Sequence, residues 1–185
     1  MEIVKGPNNS REELLAHMVA QYEVTLLRTC YMYLRDKGLA EDATQETFLK
    51  AYKALDTFRG ESSEKTWLMR IAMNTCRDMK RNAWFRYMDR SVEVESLPQP
   101  AWVQEFEEAD DLTQAVLKLS TKHKEVILLY YYQDMTMREI ASVLGISVST
   151  VGKRVKTACN KLKKMLGKED FYERGENAAA NSHRH

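Results

Sequence analysis

The residues best equipped for chemistry lie together late in the sequence, and the chemistry they suit is anion recognition. From Ser147 to Leu166 there are six basic residues, Lys153, Arg154, Lys156, Lys161, Lys163 and Lys164, and no acidic one. Ser149, Thr150 and Thr157 add hydroxyls to the same stretch. Hydroxyls and an arginine near a helix start suit base edges and phosphates, and trailing lysines suit backbone phosphates. Catalytic groups are not gathered in this way. The histidines, His17, His123, His183 and His185, are scattered, and there is no HExxH, P-loop, GxSxG or GxGxxG pattern. Cys30, Cys76 and Cys159 are an odd number without CxxC spacing. They read as small, semi-buried thiols rather than a disulfide framework or zinc site. No catalytic residue, metal or cofactor is expected.

The basic groups need a rigid support, and TMREIASVLGISVSTVGKRVKTA, residues 136–158, supplies one. Thr136 and Glu139 have capping-box spacing and open a helix through Leu144. Ile140, Ala141 and Leu144 are its inward positions. Gly145 permits the left-handed backbone of a tight turn. Ser147 can cap the next helix, whose inward positions are Ile146, Val151, Val155 and Ala158. Two helices crossing at small Ala141 through such a turn make a helix-turn-helix. Upstream, Leu112–Leu119 and Lys122–Tyr132 read as two further helices.

The rest of the chain is helical by the same reasoning. Three prolines and seven glycines in 185 residues are too few for a turn-rich β fold. Leu14, Leu15, Met18, Val19, Tyr22, Leu26, Cys30 and Leu34 form one apolar stripe over residues 11–35, which Gly38 is expected to end. A second helix is expected over Ala40–Leu55, with Glu41 and Asp42 in its first turn. The third runs over Glu64–Asn82 behind Ser63 as cap, with Trp67, Leu68, Ile71, Ala72, Thr75 and Met79 inward. Trp84, Phe85 and Tyr87, among Arg86 and Arg90, either touch DNA or seal the bundle end. No apolar run approaches the roughly 18 residues of a membrane span, and the N-terminus lacks a signal-peptide core.

A net charge of +1 conceals a block pattern. Residues 1–90 carry +2, residues 91–111 carry −7, residues 112–166 carry +7 and the tail carries −1. The expected fold class is therefore all-α: an N-terminal helical bundle (10–90), an acidic linker (91–111) and a C-terminal helix-turn-helix domain (112–166). The linker has room for one helical turn near Trp102–Phe106, and residues 167–185 are expected to form a flexible tail. A polyanion is the natural partner of the +7 domain.

At this level of detail the chain resembles the extracytoplasmic-function sigma factors of the bacterial sigma-70 family. LSTKHKEVILLYYYQDMTMREIASVLGISVSTVGKRV is similar to the family's region 4, and AEDATQETFLKAYKALDTFRG with SSEKTWLMRIAMNTCRDMKR to its region 2. Two matches in the family's order, across a variable linker, are far more specific than a lone helix-turn-helix. The resemblance implies an alternative sigma factor that binds core RNA polymerase, reads the −35 and −10 promoter elements and promotes opening. Core contacts would be with the clamp helices of the largest subunit and the flap of the second largest. Glu41, Asp42, Gln45, Glu46 and Leu49 correspond to the clamp-binding face. Ser62, Ser63, Lys65, Asn74, Arg77, Lys80 and Arg81 fall in the −10 recognition and melting elements, with Asn74 in the family's Ile-Ala-x-Asn position. Ser149, Thr150, Lys153 and Arg154 would read the −35 element, and Lys156 would hold phosphate. Gly152 departs from the Lys or other helix former that many relatives carry there. The resemblance also implies control by an anti-sigma factor and a cytoplasmic location, including attachment to the membrane through that partner.

Read without the resemblance, the acidic face is a solvated surface and the C-terminal domain equally suits a conventional helix-turn-helix regulator. Such a regulator binds duplex DNA alone, whereas a sigma factor needs core polymerase. The acidic linker, lying between a near-neutral and a basic domain, is expected to shield the latter when the protein is free.

Overall fold

The computed structural model describes the backbone of residues 7–89 and 111–167, and the side chains of residues 11–82 and 111–167. The acidic linker except Asp111, the helical turn expected near Trp102–Phe106, the residues beyond Gly167, and the side chains of Trp84, Phe85, Arg86, Tyr87 and Arg90 lie outside these. Every regular element among the described residues is helical.

Three helices build the N-terminal part: α1 (Pro7–Leu34), α2 (Lys37–Ala54) and α3 (Glu64–Asp89). The break between α1 and α2 falls earlier than expected. Arg35 takes a left-handed φ of 59°, and Asp36 caps α2 by accepting from the Leu39 N–H at 2.8 Å. Gly38 therefore lies inside the first turn of α2, and Glu41 and Asp42 fall in its second turn rather than its first. The side-chain cap, a stronger local signal than a glycine, sets the boundary. A short 3₁₀ turn (Leu55–Thr57) follows α2, and Ser63 caps α3 by accepting from the Thr66 N–H at 3.1 Å. Met18, Leu26 and Cys30 from α1, Ala40, Ala43 and Ala51 from α2, and Leu68, Ala72 and Cys76 from α3 make the shared core. Trp67 is half-buried against Phe58, with ring centroids 4.9 Å apart. All three cysteines are free and buried.

The C-terminal part holds α4 (Asp111–Lys118), α5 (Thr121–Ile127), α6 (Met137–Leu144) and α7 (Val148–Leu166). The expected helix to Tyr132 instead widens after Ile127 into a π-helical turn, Leu128–Tyr132, where the Gln133 N–H donates to the Leu128 carbonyl. The capping box is complete: the Thr136 N–H donates to Glu139 Oε2 (2.8 Å) and the Glu139 N–H to Thr136 Oγ1 (3.2 Å). Gly145 has φ 66°, and Ser147 Oγ accepts from the Thr150 N–H at 3.2 Å. Val126, Ile127, Leu129, Ile140, Val151, Ala158 and Leu162 fill the core under this turn.

Candidate nucleic-acid interfaces

Burial of Val151, Val155, Ala158 and Leu162 fixes the roll of α7 and so decides which residues face out. Ser149, Lys153 and Lys156 are exposed, and Thr150 and Arg154 half-exposed. Ser147 Oγ lies 3.0 Å from Ser149 Oγ and 2.8 Å from Thr150 Oγ1, which groups three hydroxyls at the helix start. Behind them Lys161 Nζ lies 3.4 Å from His123 Nδ1. Burial, then Lys161, Lys122 and Arg154, push the His123 pKa down, so the imidazole favours its neutral form. This outer face combines hydrogen-bonding groups near the N-terminus with positive charge along its length, a geometry suited to a major groove.

On α2, Asp42, Gln45 and Leu49 are exposed at i, i+3 and i+7, flanked by half-exposed Glu41 and Glu46. Leu49 is 47% exposed, which makes it a polar face with one apolar knob. Lys37 and Lys50 lie 3.9 and 3.6 Å from Glu41 and Glu46, leaving Asp42 and Gln45 as its open polar centre. The five residues named from the sequence thus share one surface.

The residues expected to meet the −10 element are less evenly presented. Asn74 and Arg81 are exposed. Arg81 pairs with Asp78 at 3.0 Å, and Asn74 Oδ1 accepts from Arg77 Nη1 at 3.4 Å. Ser62 is half-buried in the loop before α3, and Ser63 is occupied as the cap. Lys65, Arg77 and Lys80 turn toward the C-terminal domain. Lys65 Nζ donates to the Gln133 carbonyl (2.5 Å), Arg77 Nε to Glu125 Oε1 (2.8 Å) and Lys80 Nζ to Thr121 Oγ1 (3.0 Å). Tyr33 Oη donates to the same Glu125 oxygen at 3.3 Å. The bond to Glu125, foremost, raises the Arg77 pKa, while burial and then the Glu125 charge raise that of Tyr33. Thr66 Oγ1 donates to Glu139 Oε1 at 3.0 Å, and Arg70 Nη2 to Ser142 Oγ. Gln133 Nε2 donates to Thr29 Oγ1 at 2.9 Å. Sequence reasoning missed Tyr33, Thr121, Glu125, Gln133 and Ser142 as a set, because their partners come from the other domain. The one available signal was an acid, Glu125, among the apolar positions of KEVILL.

Comparison with known proteins fits these surfaces to a family. Residues 18–86 match Sigma-70 region 2, and residues 115–164 match Sigma-70, region 4. The chain is 30% identical over 177 residues to the ECF RNA polymerase sigma factor SigW of Bacillus subtilis (strain 168), covering 88% of this chain and 94% of that protein. It is 32% identical to the RNA polymerase sigma factor YlaC of the same organism, over 83% of this chain and 92% of the relative. The chain belongs to the extracytoplasmic-function sigma factors of the sigma-70 family. The structure of CnrH, solved in complex with the cytosolic domain of CnrY, matches this ECF sigma factor with a TM-score of 0.65 and 28% identity, covering 84% of this chain and 89% of that one. RpoE of Bartonella quintana, solved with the anti-sigma factor NepR, shares the fold: TM-score 0.69 and 24% identity, over 83% and 97% of the two chains. Sigma factors are transcription initiation factors. No described helix is long and apolar enough to cross a membrane.

Proposed function

We propose that this chain is a promoter-specificity subunit: it docks on core RNA polymerase, directs it to promoters with particular −35 and −10 elements, and assists opening without chemistry of its own. The observation that supports this best is the presence of both sigma-70 regions, in order, across nearly the whole length of its relatives. Residues 10–90 are assigned to core binding and −10 recognition, 91–111 to a linker, 112–166 to −35 recognition and 167–185 to a tail. The α2 face of Glu41, Asp42, Gln45, Glu46 and Leu49 is the surface for core polymerase. On α7, Ser149, Thr150, Lys153 and Arg154 approach bases, and Lys156 holds phosphate. Asn74 reads a base of the non-template strand, supported by Ser62, Ser63, Lys65, Arg77, Lys80 and Arg81. An anti-sigma factor, the kind of partner with which RpoE was solved, holds the protein inactive. The working compartment is the cytoplasm.

Run-off transcription on sheared genomic DNA from the source organism, with bacterial core polymerase and with or without this chain, tests the proposal. New 5′ ends that share two upstream motifs at a constant separation are expected. Tight duplex binding by the chain alone, with no core-dependent starts, would make it a conventional regulator.

A further inference from the structure

Nothing inside the protein requires a glycine in the first half of α7. Gly152 does not take a left-handed backbone, and a Cβ placed on it meets nothing within 4 Å. The helix therefore carries a glycine's loss of stability with no turn and no close packing in return. Val148, one turn earlier, is equally unexplained by the fold. It is 46% exposed, whereas Val151 and Val155 of the same helix are buried. Side chains at i and i+4 lie one above the other on a helix, so the bare position at Gly152 adjoins the open valine. Ser149, between them in sequence, is exposed as well. Its Oγ lies 3.0 Å from Ser147 Oγ, which itself accepts from the Thr150 N–H. A Ser149 hydroxyl that accepts from Ser147 keeps its own proton for an outside acceptor.

The charge of the helix selects the occupant. Six basic residues and no acidic one between Ser147 and Leu166 commit this surface to a polyanion. In a helix-turn-helix the N-terminal residues of the second helix meet base edges in the major groove. One base offers an apolar knob there: thymine, whose C5-methyl stands beside its O4 acceptor. We propose that Val148 and Gly152 form a notch for a thymine methyl, with Ser149 donating to the neighbouring O4, so that the upstream element this chain reads contains a thymine at that point. The valine supplies the apolar contact, and the glycine removes the side chain that would hold α7 away from the groove floor. Cytosine at the same place offers neither the methyl nor an acceptor on that edge. The notch rests on the reading of α7 as the helix that enters a major groove; it does not require core polymerase.

The test uses the full chain. Duplexes are selected from a random library by the chain bound to core polymerase and, in parallel, by the chain alone. Each thymine of the shared motif is then replaced singly by 2′-deoxyuridine, which removes the methyl and nothing else. At one thymine the wild type is expected to lose roughly fourfold in affinity, the scale of one buried methyl group. Val148→Ala and Gly152→Ala are each expected to bind the thymine duplex several-fold more weakly and to lose nothing further on deoxyuridine. Met165→Ala, at an exposed apolar position near the other end of α7, keeps the wild-type pattern. Gly152→Ala is also expected to raise the thermal midpoint, which separates its weaker binding from poor folding. A wild type indifferent to deoxyuridine at every position would overturn the notch, as would a methyl penalty that persists in both variants. Either result leaves core-dependent selection, and with it the promoter reading, standing. A motif selected by the chain alone and not with polymerase removes the promoter reading, and the same substitutions in that motif decide the notch. Selection of no motif by either would overturn both.

Discussion

Lys124 carries a burial cost that its charged neighbours increase. It is 6% exposed, and burial first, then Lys80 and Arg35, lower its pKa to about 8. Below that value the amine is charged in both folded and unfolded chains, and the penalty is in full force. Between about 8 and the ordinary 10.5 the unfolded chain keeps a proton on Lys124 that the folded chain has shed, so the contribution of Lys124 to stability rises with pH, while the raised Cys76 and Cys159 thiols act the other way above their ordinary 9.0. Tyr33, with its raised pKa, acts in the opposite direction only above its ordinary 10.0. Lys124→Met is expected to raise stability at neutral pH by about 1–2 kcal/mol and to flatten this pH dependence, read by urea unfolding across the range. Gly152 offers a second gain. A Cβ there meets nothing within 4 Å, so Gly152→Ala should stabilise α7 by up to about 1 kcal/mol, measured as a higher thermal midpoint. At this scale local signals were legible in the sequence, because a cap and its target lie three residues apart, as in Ser63, Thr136 and Ser147. Glu125 and Gln133 were not legible as contacts, since Arg77 and Thr29 lie 48 and 104 residues away.

The elements show where periodicity suffices and where it stops. The stripe on α7 assigned Ser149, Lys153 and Lys156 to the outer face before any coordinates, because Val151, Val155 and Ala158 had to face in. On α3 the same logic named one inner face, but two are buried. Leu68, Ala72 and Thr75 pack into the bundle, and Met69 and Met73 lie on the side that meets the other domain. A helix covered on two sides has no clean amphipathic pattern to read. The π-helical turn at Leu128–Tyr132 was equally illegible, as an apolar run looks the same at either pitch. The turn of the helix-turn-helix rests on identifiable chemistry. Thr136→Ala removes the capping box and is expected to cost about 1 kcal/mol, and Gly145→Ala, at φ 66°, a similar amount. Denaturant titration reads both. The α2 face invites a different experiment. Replacing exposed Asp42, Gln45 and Leu49 together should leave the unfolding midpoint within about 0.5 kcal/mol. Affinity for core polymerase should fall at least tenfold in a competition assay; unchanged affinity would move the docking surface elsewhere.

At the scale of the whole molecule, the buried apolar residues of the two domains join in one cluster, and the packing leaves the outer faces of α2 and α7 open while it engages one row of α3. On the proposed assignment of the surfaces, the α2 and α7 faces are open while Lys65, Arg77 and Lys80 of α3 are engaged by the other domain, which gives an order of events: docking, opening, then reading. Charge blocks separated the domains in the sequence, yet nothing in composition could show that Lys65, Arg70, Arg77 and Lys80 of the near-neutral domain bond to the other domain. The distance between the domains tests this order most directly. Cysteines introduced at exposed Glu23 and Asn160 can be labelled for energy transfer while Cys30, Cys76 and Cys159 stay buried. The free chain is expected to give high transfer that falls when core polymerase is added. Transfer that is low in the free chain, or unchanged by polymerase, would contradict it.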